Sequence, residues 1–191
     1  KTKEQWARAR RGGEEREVFY EGDERLPPGQ HLVDTFPVLD LGFKPDIPLQ
    51  EWKLSIGGFV AAPVTWTWED FLAQPQCKDR SDFHCVTSWS RYDNDWEGVS
   101  FRQIMAVVKP LSLAKFVLFK SYDDYTTNLP IEACDDADVL LTYKWNHQPL
   151  TKEHGGPVRV IVPKRYAWKG AKWIKEITFS DKDRKSTRLN S

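Results

Sequence analysis

One cysteine, Cys85, sits in the segment Asp82-Phe83-His84-Cys85-Val86-Thr87-Ser88-Trp89-Ser90. No second cysteine follows at a spacing that suits a zinc or redox pair. Such a thiolate could serve a soft or high-valent metal whose remaining ligands are not protein side chains. It could act instead as a nucleophile, which would require a histidine base in reach. His84 is adjacent, but neighbouring strand residues point to opposite faces. On spacing alone, a ligand and a structural cysteine both stay open. A metal–dithiolene cofactor is the case that asks the protein for a single thiolate.

A second constellation runs from Gly155 to Lys172, GGPVRVIVPKRYAWKGAK. A glycine turn feeds a strand, and the strand exits into a loop of Lys and Arg interleaved with aromatics. Backbone amides near glycines can cradle a phosphate while a basic side chain neutralises it. A solvated strand edge is the plainer explanation of a Lys-rich run. Gly170, inside the cluster, tips the reading toward an anion site.

The elements that must position these residues are short and mixed. Trp52 to Ile56 alternates as a strand that Gly57-Gly58 should stop, and Val64 to Trp66 is a second. Thr67, three residues before Asp70, predicts a capped helix through Phe71 and Leu72 that ends before Pro75. A polar loop precedes the Cys85 strand, and Asp95 to Val99 reads as a turn. Ser100 and Gln103 form a second capping box for a helix with Phe101, Ile104, Met105 and Val108 on one face, ended by Pro110. Further strands are expected over 115–120, 139–145, 158–162 and 173–179, and Pro130 opens a short helix. There is no regular βαβ rhythm, which predicts an α+β fold of mixed sheets with short helices.

Composition narrows the function classes. Among 191 residues, Lys+Arg and Asp+Glu both number 28, so the charge balance argues against a nucleic-acid partner. No apolar run reaches the length of a membrane span. The cysteines Cys77, Cys85 and Cys134 are too few and too unevenly spaced for a disulfide framework, which favours a reducing, cytoplasmic setting. Residues 1–24 read as a charged arm, 25–183 as the domain, and 184–191 as a tail that does not look native.

Taken together, Asp82–Ser90, Asp95–Val99 and Gly155–Lys172 resemble the molybdopterin domain of the sulfite oxidase family. The Arg25–Gly42 stretch is similar to its small haem-free bacterial branch, which includes methionine-sulfoxide reductase catalytic subunits. The resemblance implies a Mo-molybdopterin cofactor, with Cys85 as the molybdenum ligand. It implies cofactor contacts from Phe36, Ser121, His154, Arg159, Gly170, Ala171 and Lys172. His154 departs from the family, whose nearest branch carries an asparagine there. The implied activity is oxygen-atom transfer on a small sulfur or nitrogen oxo compound such as sulfite or a sulfoxide. A separate electron-transfer partner, a haem protein or similar, would then be needed, and the chain is expected to be a monomer. Tyr125 is the candidate hydrogen-bond donor to substrate. Trp89, Tyr92, Trp96 and Tyr122 are candidate mouth residues that could equally be core. The alternative function is a non-enzymatic binding module that keeps the fold without the metal.

Overall fold

The computed structural model describes residues 25–38 and 42–183; the charged arm and the tail lie outside them. Two sheets carry the fold, with few and short helices, as the mixed pattern predicts. The first sheet runs β1 (His31–Leu32), β5 (Trp89–Ser100), β8 (Leu140–Trp145), β10 (Arg159–Ile161), with β4 (Cys77–Cys85) on β5 and β9 (Gln148–Pro149) on β8. The second runs β3 (Val64–Thr67), β2 (Lys53–Gly58), β11 (Ile174–Ser180), β6 (Phe116–Ser121), β7 (Thr126–Pro130).

Alternation explains the second sheet. Leu54 and Ile56 point inward from β2, and Val117 and Phe119 from β6, all buried. Ser121 takes the next inward position of β6 and is fully buried too. A hydroxyl in that register departs from the apolar pattern. Contrary to the sequence expectation, β2 does not stop at Gly57: Gly57 and Gly58 pair with Thr178 and Phe179 of β11.

The helices follow their caps. α1 (Trp68–Ala73) begins at Thr67, whose side chain exchanges bonds with Asp70 in a complete capping box. α2 (Phe101–Val108) begins at Ser100, which accepts from the Gln103 amide, and buries Phe101, Ile104 and Val108. α3 (Ile131–Cys134) follows Pro130. These helices and the inner sheet faces enclose the larger core, around Trp52, Phe71, Phe119 and Ile177.

The β4–β5 hairpin is where the sequence misleads. The expected polar loop before Cys85 is strand, and the expected turn at Asp95 to Val99 is the far half of β5. Charged pairs across the ladder account for this. Lys78 lies opposite Glu97 and Arg80 opposite Asp95, so polar side chains cover one face of a true strand. Gly98 is strand because a Cβ there would lie 2.0 Å from the Leu141 carbonyl oxygen of β8.

A smaller apolar cluster fills the end of this hairpin: Phe83, Cys85, Trp89, Trp96, Leu140, Leu150 and Ile161. It holds Cys85 and connects the fold to its chemistry.

Candidate cofactor site

Cys85 ends β4, and Trp89 opposite it begins β5. The turn between them closes with the Ser88 amide donating to the Cys85 carbonyl at 3.0 Å, and Ser88 takes a left-handed φ of 76°. The segment before β1 braces this turn. Gln30 Nε2 donates to the Cys85 carbonyl at 3.2 Å, and the His31 amide donates to the Ser88 carbonyl at 2.9 Å. The Cys85 side chain is 2% exposed, and its Sγ lies 3.0 Å from Thr87 Oγ1.

His84 faces the other way, as strand alternation requires. Its Nδ1 lies 2.7 Å from Ser90 Oγ, and that hydroxyl donates to Gln30 Oε1. With the serine proton so committed, the imidazole Nδ1 is the donor. Burial lowers the His84 pKa to about 4, with Asp82 opposing and Arg25 reinforcing the shift. The folded value lies below the free value of 6.5. The stability penalty is therefore absent above that pH and grows as pH falls toward 4. Between those limits the parent should lose up to roughly 3 kcal/mol that His84→Gln keeps. Parallel denaturation curves for the two proteins at pH 4.5 and 7 test this, and an unchanged difference between them would contradict it.

Arg159, at the start of β10, is 4% exposed. Its two terminal nitrogens donate to the carbonyls of His154 (2.9 Å) and Gly170 (3.4 Å). Its Nε has no hydrogen-bond partner among the described residues. The guanidinium lies over the Phe83 ring at 5.1 Å and the Phe36 ring at 5.8 Å. Burial pushes its pKa down to about 9, and the field of Cys85 acts in the opposite direction. A negative charge on the Cys85 sulfur would thus favour the charged guanidinium across the small aromatic cluster.

Phe36 and His154 close one side. The imidazole stacks on the Phe36 ring at 4.2 Å, and its Nε2 lies 2.9 Å from the Phe36 carbonyl. A carbonyl can only accept, so Nε2 carries the proton and Nδ1 accepts from Thr151 Oγ1 at 2.9 Å. Burial lowers the His154 pKa; the Phe36 bond opposes this, and Arg159 and Lys172 add to it.

The second sheet contributes the opposite side. Segment 170–174 passes between β10 and β6: the Val160 amide donates to the Ala171 carbonyl, and the Tyr122 amide to the Trp173 carbonyl, both at 2.8 Å. Gly170 must be glycine, since a Cβ there would lie 2.4 Å from the Val160 carbonyl oxygen. Ala171 is fully buried. Lys172 Nζ donates to the Glu153 carbonyl at 2.8 Å and lies over Trp173. Ser121 stands opposite Ile174, and its buried Oγ has no partner among the described residues. Tyr125 donates its hydroxyl proton to the Trp168 carbonyl at 2.6 Å.

The structure therefore gathers Cys85, Phe36, His154, Arg159 and Gly170 through direct contacts or charge. Ser121, Ala171 and Lys172 join them where the sheets meet. Tyr125 steadies the neighbouring loop. Trp96 is 1% exposed and Trp89 8%, so both are core; Tyr122 is tied by its hydroxyl to the Lys53 carbonyl. Gln30, Thr87 and Thr151 are site residues that the sequence did not single out. Thr87 alone carried a signal, two residues past the cysteine and across a turn.

Among the described residues, no group of three or more His, Cys, Asp or Glu side chains could hold an ion. A metal here would take its other ligands from a non-protein group. Two buried donors without partners, Arg159 Nε and Ser121 Oγ, suit the acceptor-rich pterin and phosphate of such a group. The residues present fit it.

The family profile described as "Oxidoreductase molybdopterin binding domain" matches residues 42–188. The chain is similar to the "Uncharacterized oxidoreductase YuiH" of Bacillus subtilis (strain 168), 39% identical over 160 residues, which is 82% of this chain and 79% of that protein. It is also similar to the protein-methionine-sulfoxide reductase catalytic subunit MsrP of Campylobacter jejuni, 30% identical over 155 residues. That match takes in 72% of this chain and 52% of MsrP, so the chain spans about half the reductase's length. In fold it is similar to the sulfane dehydrogenase SoxCD of Paracoccus pantotrophus, with a TM-score of 0.67 at 23% identity, covering 73% of this chain and 40% of that one. The profile covers well over half of the chain and the YuiH match most of both proteins: the chain belongs to the oxidoreductase molybdopterin-binding domain family.

Proposed function

We propose that this chain is a molybdenum-molybdopterin oxidoreductase that transfers an oxygen atom to or from a small sulfur or nitrogen oxo compound. The observation that carries the reading is the pairing of a buried thiol with a buried guanidinium across one aromatic cluster. The cofactor, when bound, supplies two-electron oxygen-atom chemistry. The chain supplies the rest. Cys85 gives the metal its one protein ligand, and the strap at Gln30 and His31 fixes where that sulfur stands. Arg159 and Ser121 offer donors to the pterin and its phosphate, and Gly170, Ala171 and Lys172 form the loop that holds the terminal phosphate. Phe36 and His154, stacked on each other beside the Cys85 cluster, would shield the group from water. We assign Tyr125 to positioning this loop through Trp168, rather than to contact with substrate.

The substrate reading follows from the arginines. A dianion such as sulfite calls for several guanidinium groups around the reacting centre. Arg91 is committed to Asn94 Oδ1 at 2.6 Å and lies over Trp145, and Arg102 pairs with Asp135. That supports a neutral sulfoxide over sulfite. MsrP, by its name, acts on methionine sulfoxide in proteins, and an organic sulfoxide is the class we assign here. Electrons would come from a separate haem protein or similar partner.

The loaded protein should reduce alkyl sulfoxides with an artificial donor at a kcat/KM at least about tenfold above its sulfite oxidation, the factor that about 1.4 kcal/mol of differential transition-state binding gives. Steady-state assays on sulfite, dimethyl sulfoxide, methionine sulfoxide and an N-oxide decide it. A preference for sulfite would overturn the substrate class and leave the family intact.

A further inference from the structure

We propose that Thr87 is a positioning residue for the metal centre: its hydroxyl donates to the Cys85 sulfur and tunes the electron density that the sulfur delivers. The inference rests on the reading of Cys85 as the molybdenum ligand and adds a residue to it.

The geometry comes from the turn. Thr87 Oγ1 lies 3.0 Å from Cys85 Sγ, well inside hydrogen-bond range for sulfur. The contact is not left to a free rotor on a loose loop. The Ser88 amide closes the turn onto the Cys85 carbonyl, and Ser88 takes its left-handed conformation immediately after Thr87. Gln30 and His31 then hold the turn from the strap side. Residue 87 is therefore held close to the sulfur by backbone bonds independent of its own side chain.

The direction of the bond follows from protonation. A thiolate bound to a metal has no proton, so the hydroxyl must donate. A hydrogen bond to a ligating sulfur draws density away from the metal. It favours the reduced metal over the oxidised one and raises the potential. Arg159 acts on the same sulfur through its charge. Thr87 is thus a side-chain donor placed on the ligand itself.

The test uses holoprotein from a host that makes molybdopterin. Thr87→Val keeps the shape and deletes the proton, while Thr87→Ser keeps the hydroxyl. Three quantities are read: molybdenum per chain, the sulfur-to-metal charge-transfer band, and the midpoint potential of the metal by dye-mediated titration. The expected result is near-parent molybdenum in both variants, a more negative potential and a displaced band in Thr87→Val, and parent values in Thr87→Ser. If Thr87→Val does not load, Thr87→Ala compared with Thr87→Ser reads the same difference. A loaded hydroxyl-free variant with parent potential and band overturns the role of Thr87, provided Cys85→Ala has lost the band. A Cys85→Ala protein that keeps both band and potential overturns the ligand assignment, and Thr87 falls with it.

Discussion

Replacing Arg159 with methionine should weaken cofactor retention by roughly ten- to a hundredfold while leaving the cofactor-free protein folded. The two effects separate because the side chain is fully buried and bears a charge that burial opposes. Its loss strands the carbonyls of His154 and Gly170, which costs about 1–3 kcal/mol each. Removing a buried cation that has no carboxylate against it among the described residues returns a comparable amount. The net change should stay within about 2 kcal/mol. The cofactor loses a charge-assisted donor worth about 1.5–3 kcal/mol, roughly ten- to a hundredfold in affinity. Thermal melts of cofactor-free protein, with pterin content of protein purified from a molybdopterin-producing host, separate the two. A stable variant carrying stoichiometric pterin would remove Arg159 from the site.

The second large effect belongs to Cys85. Cys85→Ala should reduce turnover to background yet remain folded, because it deletes one buried sulfur from a cluster otherwise built of Phe83, Trp89, Trp96 and Ile161. The cost of that small void is about 1 kcal/mol. The phosphate loop and Arg159 are untouched, so pterin should still bind, more weakly. Assays of the variant beside its parent, normalised to pterin, check this. Residual activity near the parent's would mean that the thiol is structural.

Much of this was legible in the sequence, for identifiable reasons. The helices at Trp68 and Phe101 were readable because Thr67 and Ser100 are strong caps before apolar periodicity. Four strands of the second sheet were readable from their apolar alternation, but β7 was not, because its buried face carries Thr127 beside Leu129. The β4–β5 hairpin was not, because Lys78, Asp79 and Arg80 imitate a loop when their cross-strand partners Glu97, Trp96 and Asp95 are unseen. Gly98 imitates a turn when the approach of β8 is unseen. At the site, Cys85 stood out as an isolated thiol and Gly170 as a glycine within a basic run. Phe36, Ser121 and Arg159 came from the family resemblance; Arg159 lies over the Phe36 and Phe83 rings, and Ser121 is buried at the end of β6. His154 was expected to face the cofactor as a donor. Both of its nitrogens have protein partners, Phe36 and Thr151, and this bond pattern ties the segment of Phe36 to the turn that carries His154. Gln30 acts through a side-chain bond to the Cys85 carbonyl, which no local pattern reports, and Thr87 through a turn that brings its hydroxyl to the sulfur.

The central claim is that the Cys85 sulfur ligates molybdenum, and X-ray absorption at the molybdenum edge tests it most directly. Loaded parent and loaded Cys85→Ser should differ by one sulfur scatterer, with the pterin sulfurs unchanged. An identical sulfur shell in the two proteins would contradict the account.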